Sequence, residues 1–208
     1  MAVSKTKAKL VDVARQLFAK MGVENTTMND IALASKKGRR TLYTYFKSKE
    51  DIYMAVVESE LDMLSDMMKR VAEKNISPDE KMIEMIYTRL DAVKEVVFRN
   101  GTLRANFFRD IWRVEKVRKR FDAKEILLFK DVLREGVEKG VFRIDDIDMT
   151  AELVHYCVKG IEVPYIRGHI GAKLDDETRD KYVVNLVFGA LHSCLLYTSP
   201  SPRDAHES

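Results

Sequence analysis

The chain has few residues that interrupt helices or cross-link a fold. Its 208 residues include four prolines, nine glycines and two cysteines. Few prolines and glycines, beside abundant Leu, Met, Ala, Glu and Lys, favour long helices over many short strands. The cysteines, Cys157 and Cys194, lack the spacing of a disulfide framework and suit a reducing compartment. The composition therefore predicts an all-α protein of the cytoplasm.

Long apolar segments are also missing. No stretch approaches the roughly 18 apolar residues that a transmembrane helix needs. The basic N-terminus, residues 1–9, is not followed by the apolar run of a secretory signal. Hydrophobic residues make up 46% of the chain and charged residues 33%, a balance typical of a folded domain. We expect no membrane partner.

Signatures of catalysis and of metal binding are absent from the sequence. There is no glycine-rich phosphate loop, nucleophile elbow or Cys-x-x-Cys pair. The four histidines are scattered without metal-ligand spacing: His155, His169, His192 and His206. The acidic pairs at residues 145–146 and 175–176 are more typical of helix caps than of catalytic carboxylates, and we assign His155 and Cys157 to the core. The sequence predicts no enzyme activity, no catalytic residue, no metal site and no cofactor.

Acidic residues are scarce in the first fifty positions. Eleven lysines and arginines stand there against four acids, a net charge of +7, whereas the remaining residues hold 25 basic and 29 acidic groups, a net charge of −4. A basic head on a mildly acidic body indicates a polyanionic partner for the head alone.

Helical spacing of apolar residues begins inside this basic head. Six of them lie on one face of a predicted helix that ends at Gly22: Leu10, Val13, Ala14, Leu17, Phe18 and Met21. Thr27 and Asp30 form a start signal for a short second helix. Residues 35–38 are predicted as a turn, and residues 39–46 as a short third helix. Three short helices with this turn match the helix-turn-helix arrangement.

The third predicted helix carries groups suited to DNA. Its start holds Lys37, Arg39 and Arg40, and hydroxyl groups for phosphate oxygens follow on Thr41, Tyr43 and Tyr45. A helix of this length fits into a major groove.

The rest of the chain is predicted as a helical body. Ser48 caps a long fourth helix, and Pro78 suits the first turn of a fifth. Helices over residues 103–112 and up to about 139 are expected to be separated by a charged stretch, residues 113–120, with Gly140 as the final stop. Asp145 or Asp148 caps the next helix, which breaks near Pro164. A last helix starts near residues 175–176, and no strand is predicted.

Residues 10–57 resemble the N-terminal signature of the tetracycline-repressor (TetR) family of bacterial transcriptional regulators. The resemblance is carried, without insertion or deletion, by Ala14, Leu17-Phe18, Gly22, Thr26-Thr27, Asp30-Ile31-Ala32, Thr41-Leu42-Tyr43, Tyr45-Phe46 and Lys49-Glu50. It covers about a quarter of the chain. The body resembles the family only in its architecture and in the Glu135–Gly140 ending of one helix.

The resemblance implies which residues contact double-stranded DNA. By it, five side chains hold phosphates: Thr27, Thr41, Tyr43, Tyr45 and Lys49. Arg39, Arg40 and Thr44 face base edges, where a bidentate arginine–guanine pair contributes about 1–3 kcal/mol of discrimination. The turn departs from the family pattern, because Ser35-Lys36-Lys37-Gly38 replaces a small apolar turn of the Ala-Gly-Val-Ser kind, and Arg40 replaces a common glycine. We expect Lys36 and Lys37 to strengthen phosphate attraction.

The resemblance also implies that the body binds a small-molecule effector and that its last two helices form a homodimer on a palindromic operator. Candidate ligand-binding residues are Tyr87, Phe107, Phe108, Trp112 and Tyr156, beside Met82 and Met85. A Met or aromatic stripe at helical spacing is more often plain core. Effector binding would move the fourth helix and change the separation of the two recognition helices, which must lie about 34–36 Å apart.

Residues 194–208 resemble the in-frame translation of a transposase-type sequencing adapter, so we expect the native chain to be truncated near Ser193. The predicted domains are a helix-turn-helix domain over residues 1–48, a regulatory and dimerisation domain over 49–193, and a non-native tail. The leading hypothesis is a ligand-responsive repressor that binds specific DNA. Two alternatives remain open, namely a regulator whose body binds a partner protein, and a helical small-molecule-binding protein or enzyme with a basic head.

Overall fold

The computed structural model describes residues 4–99 and 111–166, together with 169–170, 173, 175, 177–178, 181–182 and 185–186. Seven α-helices and no strand are present in this described part. They are α1 (Lys5–Met21), α2 (Met28–Ala34), α3 (Arg39–Tyr45), α4 (Lys49–Ala72), α5 (Pro78–Arg99), α6 (Ile111–Glu138) and α7 (Ile147–Ile166). Among the described residues, no helix has the length and apolar character needed to cross a membrane. The protein is all-α, as predicted from its composition.

The residues group into two compact units. The first comprises residues 1–66 and 92–123, and the second comprises residues 67–91 and 124–208. In the first unit, α1, α2, α3 and the beginning of α4 share one apolar core. Its members include Leu10, Ala14, Phe18, Ile31, Leu42, Phe46, Ile52 and Val56. Burial of these side chains is what holds α2 and α3, which have seven residues each and are too short to be stable alone.

Local signals set the helix boundaries of the first unit as predicted. Gly22 follows α1 with a φ of 87°, a left-handed conformation that glycine adopts without steric cost. Thr27 and Asp30 form a reciprocal capping box at the start of α2. Ser48 and Asp51 make the same exchange at the start of α4, where each backbone N–H donates to the other residue's side chain.

The second unit is built from the end of α4, the first part of α5, the second part of α6, and α7. Its buried apolar side chains include Met68, Met82, Met85, Ile86, Phe129, Leu133, Phe142, Val154 and Val158. α5 begins at Pro78, as predicted. After α6, Gly140 has a φ of 70°, and the backbone N–H of Val141 donates to the carbonyl of Gly136 at 2.8 Å. This left-handed end directs Phe142 onto Gly136, where an added Cβ would clash with the phenyl ring.

Several expectations for the body were wrong. The charged stretch at residues 113–120 does not interrupt the helix, because α6 is continuous from Ile111 to Glu138. Charged side chains are good helix formers when they face solvent. The cap of α7 is Asp146, whose carboxylate accepts the N–H of Met149. Pro164 lies inside α7, near its end. Cys157 is exposed, whereas His155 is fully buried as expected.

Candidate nucleic-acid interface

Helix α3 is anchored by two apolar side chains and exposes the others. Leu42 and Phe46 are buried in the core of the first unit. Arg39, Arg40, Tyr43, Thr44 and Tyr45 are exposed. A short helix held along one side therefore presents two guanidinium groups, two phenols and a threonine hydroxyl to solvent.

The predicted DNA contacts lie on the surface of one unit. Seven of the ten are exposed: Thr27, Lys36, Arg39, Arg40, Tyr43, Thr44 and Tyr45. The remaining three, Lys37, Thr41 and Lys49, are half-buried. Within the described part of the chain, no ion pair engages Lys36, Lys37, Arg39 or Arg40. The positive charge of the turn and of α3 is therefore not neutralised by described residues and is available to an external anion.

The turn before α3 has a strained residue where the family pattern has glycine. Lys36 has a φ of 54°, the only positive φ of a non-glycine residue in the described chain. The N–H of Lys36 donates to the carbonyl of Leu33, and that of Lys37 donates to the carbonyl of Ala32, both at 3.0 Å. These two bonds are a Schellman ending, in which the left-handed position is normally glycine. Gly38 instead caps α3 with a φ of −64°.

Three predicted contact residues are also engaged within the protein. The ammonium of Lys49 donates to the carbonyls of Val23 and Glu24, at 2.8 and 3.2 Å, and so ties α4 to the loop after α1. The hydroxyl of Thr44 donates to the carbonyl of Arg40 at 2.9 Å. The hydroxyl of Thr27 bonds to Asp30 and, with the N–H of Thr27, holds the pKa of that carboxyl below its ordinary value.

Sequence reasoning missed two residues that position this surface. The hydroxyls of Ser4 and Tyr45 are 3.0 Å apart, which joins the start of α1 to the end of α3. The ammonium of Lys7 lies 5.8 Å from the centre of the Phe46 ring, within cation–π range. Neither contact has a local signal, because each joins residues about 40 positions apart.

Of the five predicted ligand-binding residues, the structure describes the side chains of two. Tyr87 is half-buried on α5, and Tyr156 is 60% exposed on α7. Phe107 and Phe108 lie outside the described residues, as do residues 194–208. Trp112 is in α6, but its side chain lies outside the described set.

A buried ionic network crosses the second unit, and the sequence did not predict it. Arg89 on α5 forms ion pairs with Glu125 on α6 and with Glu162 on α7, the latter at 3.2 Å. The second oxygen of Glu125 contacts the Nδ1 atom of His155 on α7. All four side chains are almost fully buried. Both oxygens of Glu125 are thus engaged by protein groups, and the network joins three helices.

One known protein family matches the N-terminal head of this chain. The family model described as bacterial regulatory proteins of the tetR family matches residues 10–56. This match coincides with the helices of the first unit and with the turn that carries the basic residues.

Curated relatives and solved structures match most of the chain. The repressor KstR2 of Mycolicibacterium smegmatis is 28% identical over 152 residues, which cover 70% of this chain and 72% of that protein. The regulator QacR of Staphylococcus aureus is 23% identical, over 74% of this chain and 83% of its own. A crystal structure of a TetR/AcrR-family regulator from Thermobifida fusca superposes with a TM-score of 0.65 at 23% identity, over 88% of this chain and 97% of that one. The fold of those regulators extends over both units.

Proposed function

Because the chain belongs to the tetR family of bacterial regulatory proteins and is a DNA-binding transcriptional regulator, we propose that it represses genes by binding a palindromic operator as a homodimer. The family consists of regulators and not of enzymes. The curated relative KstR2 is itself named a transcriptional repressor, which supports repression as the direction of control.

The observation that carries the proposal is the un-neutralised cationic surface of the head. Lys36, Lys37, Arg39 and Arg40 occupy four of the five positions from 36 to 40, in the turn before α3 and at its start. This helix is held to the core by the buried side chains of Leu42 and of Phe46, which follows it. We assign Arg39, Arg40 and Thr44 to base edges, and the hydroxyls of Tyr43 and Tyr45 to phosphates. Lys49 keeps a third N–H for a phosphate while it donates to two carbonyls.

A second copy of the chain is proposed to cover an apolar stripe of the second unit. Met149, Leu153 and Tyr156 follow one another on α7 at helical spacing of four and three residues, and each is more than half exposed. Apolar surface of this kind is stabilised when a partner removes it from water. The stripe lies in the region that the family resemblance assigns to the dimer.

We further propose that a small-molecule effector binds the helical body and releases the DNA. The regulator can respond only if the effector has a higher affinity for the conformation that does not fit the operator. Residues of α4 belong to both units, as do those of α5 and α6. Because α4 follows α3 directly along the chain, we propose this helix as the route by which a change in the body reaches the head.

Selection of bound duplexes from a random pool tests the proposal. We expect a palindromic product with half-sites about one helical turn apart, and an affinity that falls steeply with salt concentration. Arg40→Ala should weaken binding about 5- to 150-fold, because one bidentate base contact contributes about 1–3 kcal/mol. Lys69→Ala removes an exposed lysine of the second unit and serves as the charge control. Absence of any preferred duplex, with a folded head, would refute DNA recognition by this surface.

A further inference from the structure

Arg15 of α1 contacts two side chains in the middle of α4 and one on its own helix. Its Nε atom lies 3.0 Å from the Oε1 atom of Glu60, and its Nη2 atom donates to the hydroxyl of Ser59 at 3.0 Å. Its Nη1 atom bonds to Asp12 of the same helix at 3.1 Å. The side chain of Glu60 is only 6% exposed and that of Arg15 is 19% exposed. All four residues belong to the first unit.

The contact with α4 differs in kind from the rest of the α1–α4 packing. Elsewhere the two helices meet through apolar side chains, such as Phe18 and Tyr53, whose rings are 6.3 Å apart. Apolar burial is not directional, so it stabilises the helix pair over a range of small rotations. A guanidinium is rigid and planar, so only one arrangement places its Nε atom beside the Glu60 carboxylate while its Nη2 atom donates to Ser59.

We propose that Arg15 and Glu60 are positioning residues that set the orientation of the DNA-reading head on α4, and thereby the half-site spacing that the homodimer accepts. The inference rests on the proposed function. In a homodimer the separation of the two α3 helices depends on the angle at which each head is held on its α4. A rotation of about 10° acting over about 20 Å shifts α3 by about 3.4 Å, which is one base-pair step.

The buried position of Glu60 explains why this pair holds one orientation. A carboxylate taken out of water is costly unless a cation compensates it. Any rotation of α1 that pulls the fork away from Glu60 leaves that charge uncompensated. Asp12, which is half-exposed, carries no such cost, so it supports Arg15 without restricting the helix pair.

The test measures affinity against half-site spacing. The operator obtained by selection is remade with its spacing changed by one or two base pairs in either direction, and binding is measured for the full chain. The variants are Arg15→Lys, which keeps the charge and loses the fork, and Glu60→Gln, which keeps the shape and loses the charge. Asp12→Asn is the matched control, because it removes an Arg15 partner on α1 and leaves the contact with α4. Thermal melts establish that each variant is folded.

We expect the unaltered chain and Asp12→Asn to lose at least tenfold in affinity for each base pair of altered spacing. In Arg15→Lys and Glu60→Gln the loss should shrink to threefold or less, while the preferred half-site sequence is unchanged. A wild-type spacing profile in both folded variants would overturn the inference, and so would a uniform loss of binding at every spacing. Failure of the unaltered chain to select any duplex would instead refute the proposed function itself.

Discussion

Arg89 compensates two buried carboxylates, so its removal should be among the most destabilising single changes in the described part of the chain. Arg89→Met keeps much of the apolar volume and removes the guanidinium that contacts both Glu125 and Glu162, while Glu125 keeps its contact with His155. Removal of one member of a buried ion pair costs about 3–5 kcal/mol. For a chain of this size that corresponds to a fall of about 6–20 °C in Tm.

Urea unfolding, monitored by far-ultraviolet circular dichroism, measures this loss in stability as a lower midpoint with an unchanged m-value. Lys69→Met is the matched control, since the Lys69–Glu73 pair is an exposed contact one turn apart on α4 and should change stability by no more than about 1 kcal/mol. A loss below 1 kcal/mol for Arg89→Met would contradict the assignment of Arg89 as the compensating charge.

A double variant separates charge compensation from packing. In Arg89→Met with Glu162→Leu, the α7 carboxylate that Arg89 contacts is removed together with the cation, while Glu125 still contacts His155. The double variant should therefore be at least as stable as Arg89→Met alone. If the two substitutions acted independently, their losses in the free energy of unfolding would add. Such additivity would count against an ionic network.

Three smaller effects follow from the local geometry. Lys36→Gly should stabilise the protein by about 1 kcal/mol in urea unfolding, because it removes the left-handed strain of a side-chain-bearing residue; no gain would argue against that strain. Gly136→Ala should cost about 1–3 kcal/mol by crowding the buried ring beside it, whereas Gly160→Ala, in open space on α7, should be neutral or stabilising. Lys139→Met should raise the pKa of Glu135, measured by NMR titration, because the hydrogen bond from Lys139 is the largest cause of its depression. A carboxyl group whose pKa is lower in the folded than in the unfolded state stabilises the fold at pH values above its unfolded-state pKa. That contribution is lost as the pH falls through its folded-state pKa. The variant should therefore also lose less stability on acidification.

The DNA-reading head was predictable almost residue by residue because its determinants are local. The capping pair Thr27 and Asp30, the stop at Gly22 and the short α3 are each encoded within a few positions. The body was less predictable. Charged residues between 113 and 120 look like a loop in sequence and are helical in the structure, and Cys157 looks like core and is exposed. Apolar periodicity gives the existence of a helix, but neighbouring helices decide which of its faces is covered.

By itself the sequence determined the helical class, the end of α1 and the starts of α2, α3 and α4, the basic surface of the head and the similarity of that head to the tetR family. These properties depend on residues within one or two helical turns of each other, where spacing alone dictates geometry. Only the tertiary structure decided that Arg15 meets Glu60 and that Arg89 meets Glu125 and Glu162. Those partners lie 36 to 73 positions apart in the sequence. Charged residues are common on solvent-exposed helix faces, so the local sequence does not distinguish a pair that packing will bury.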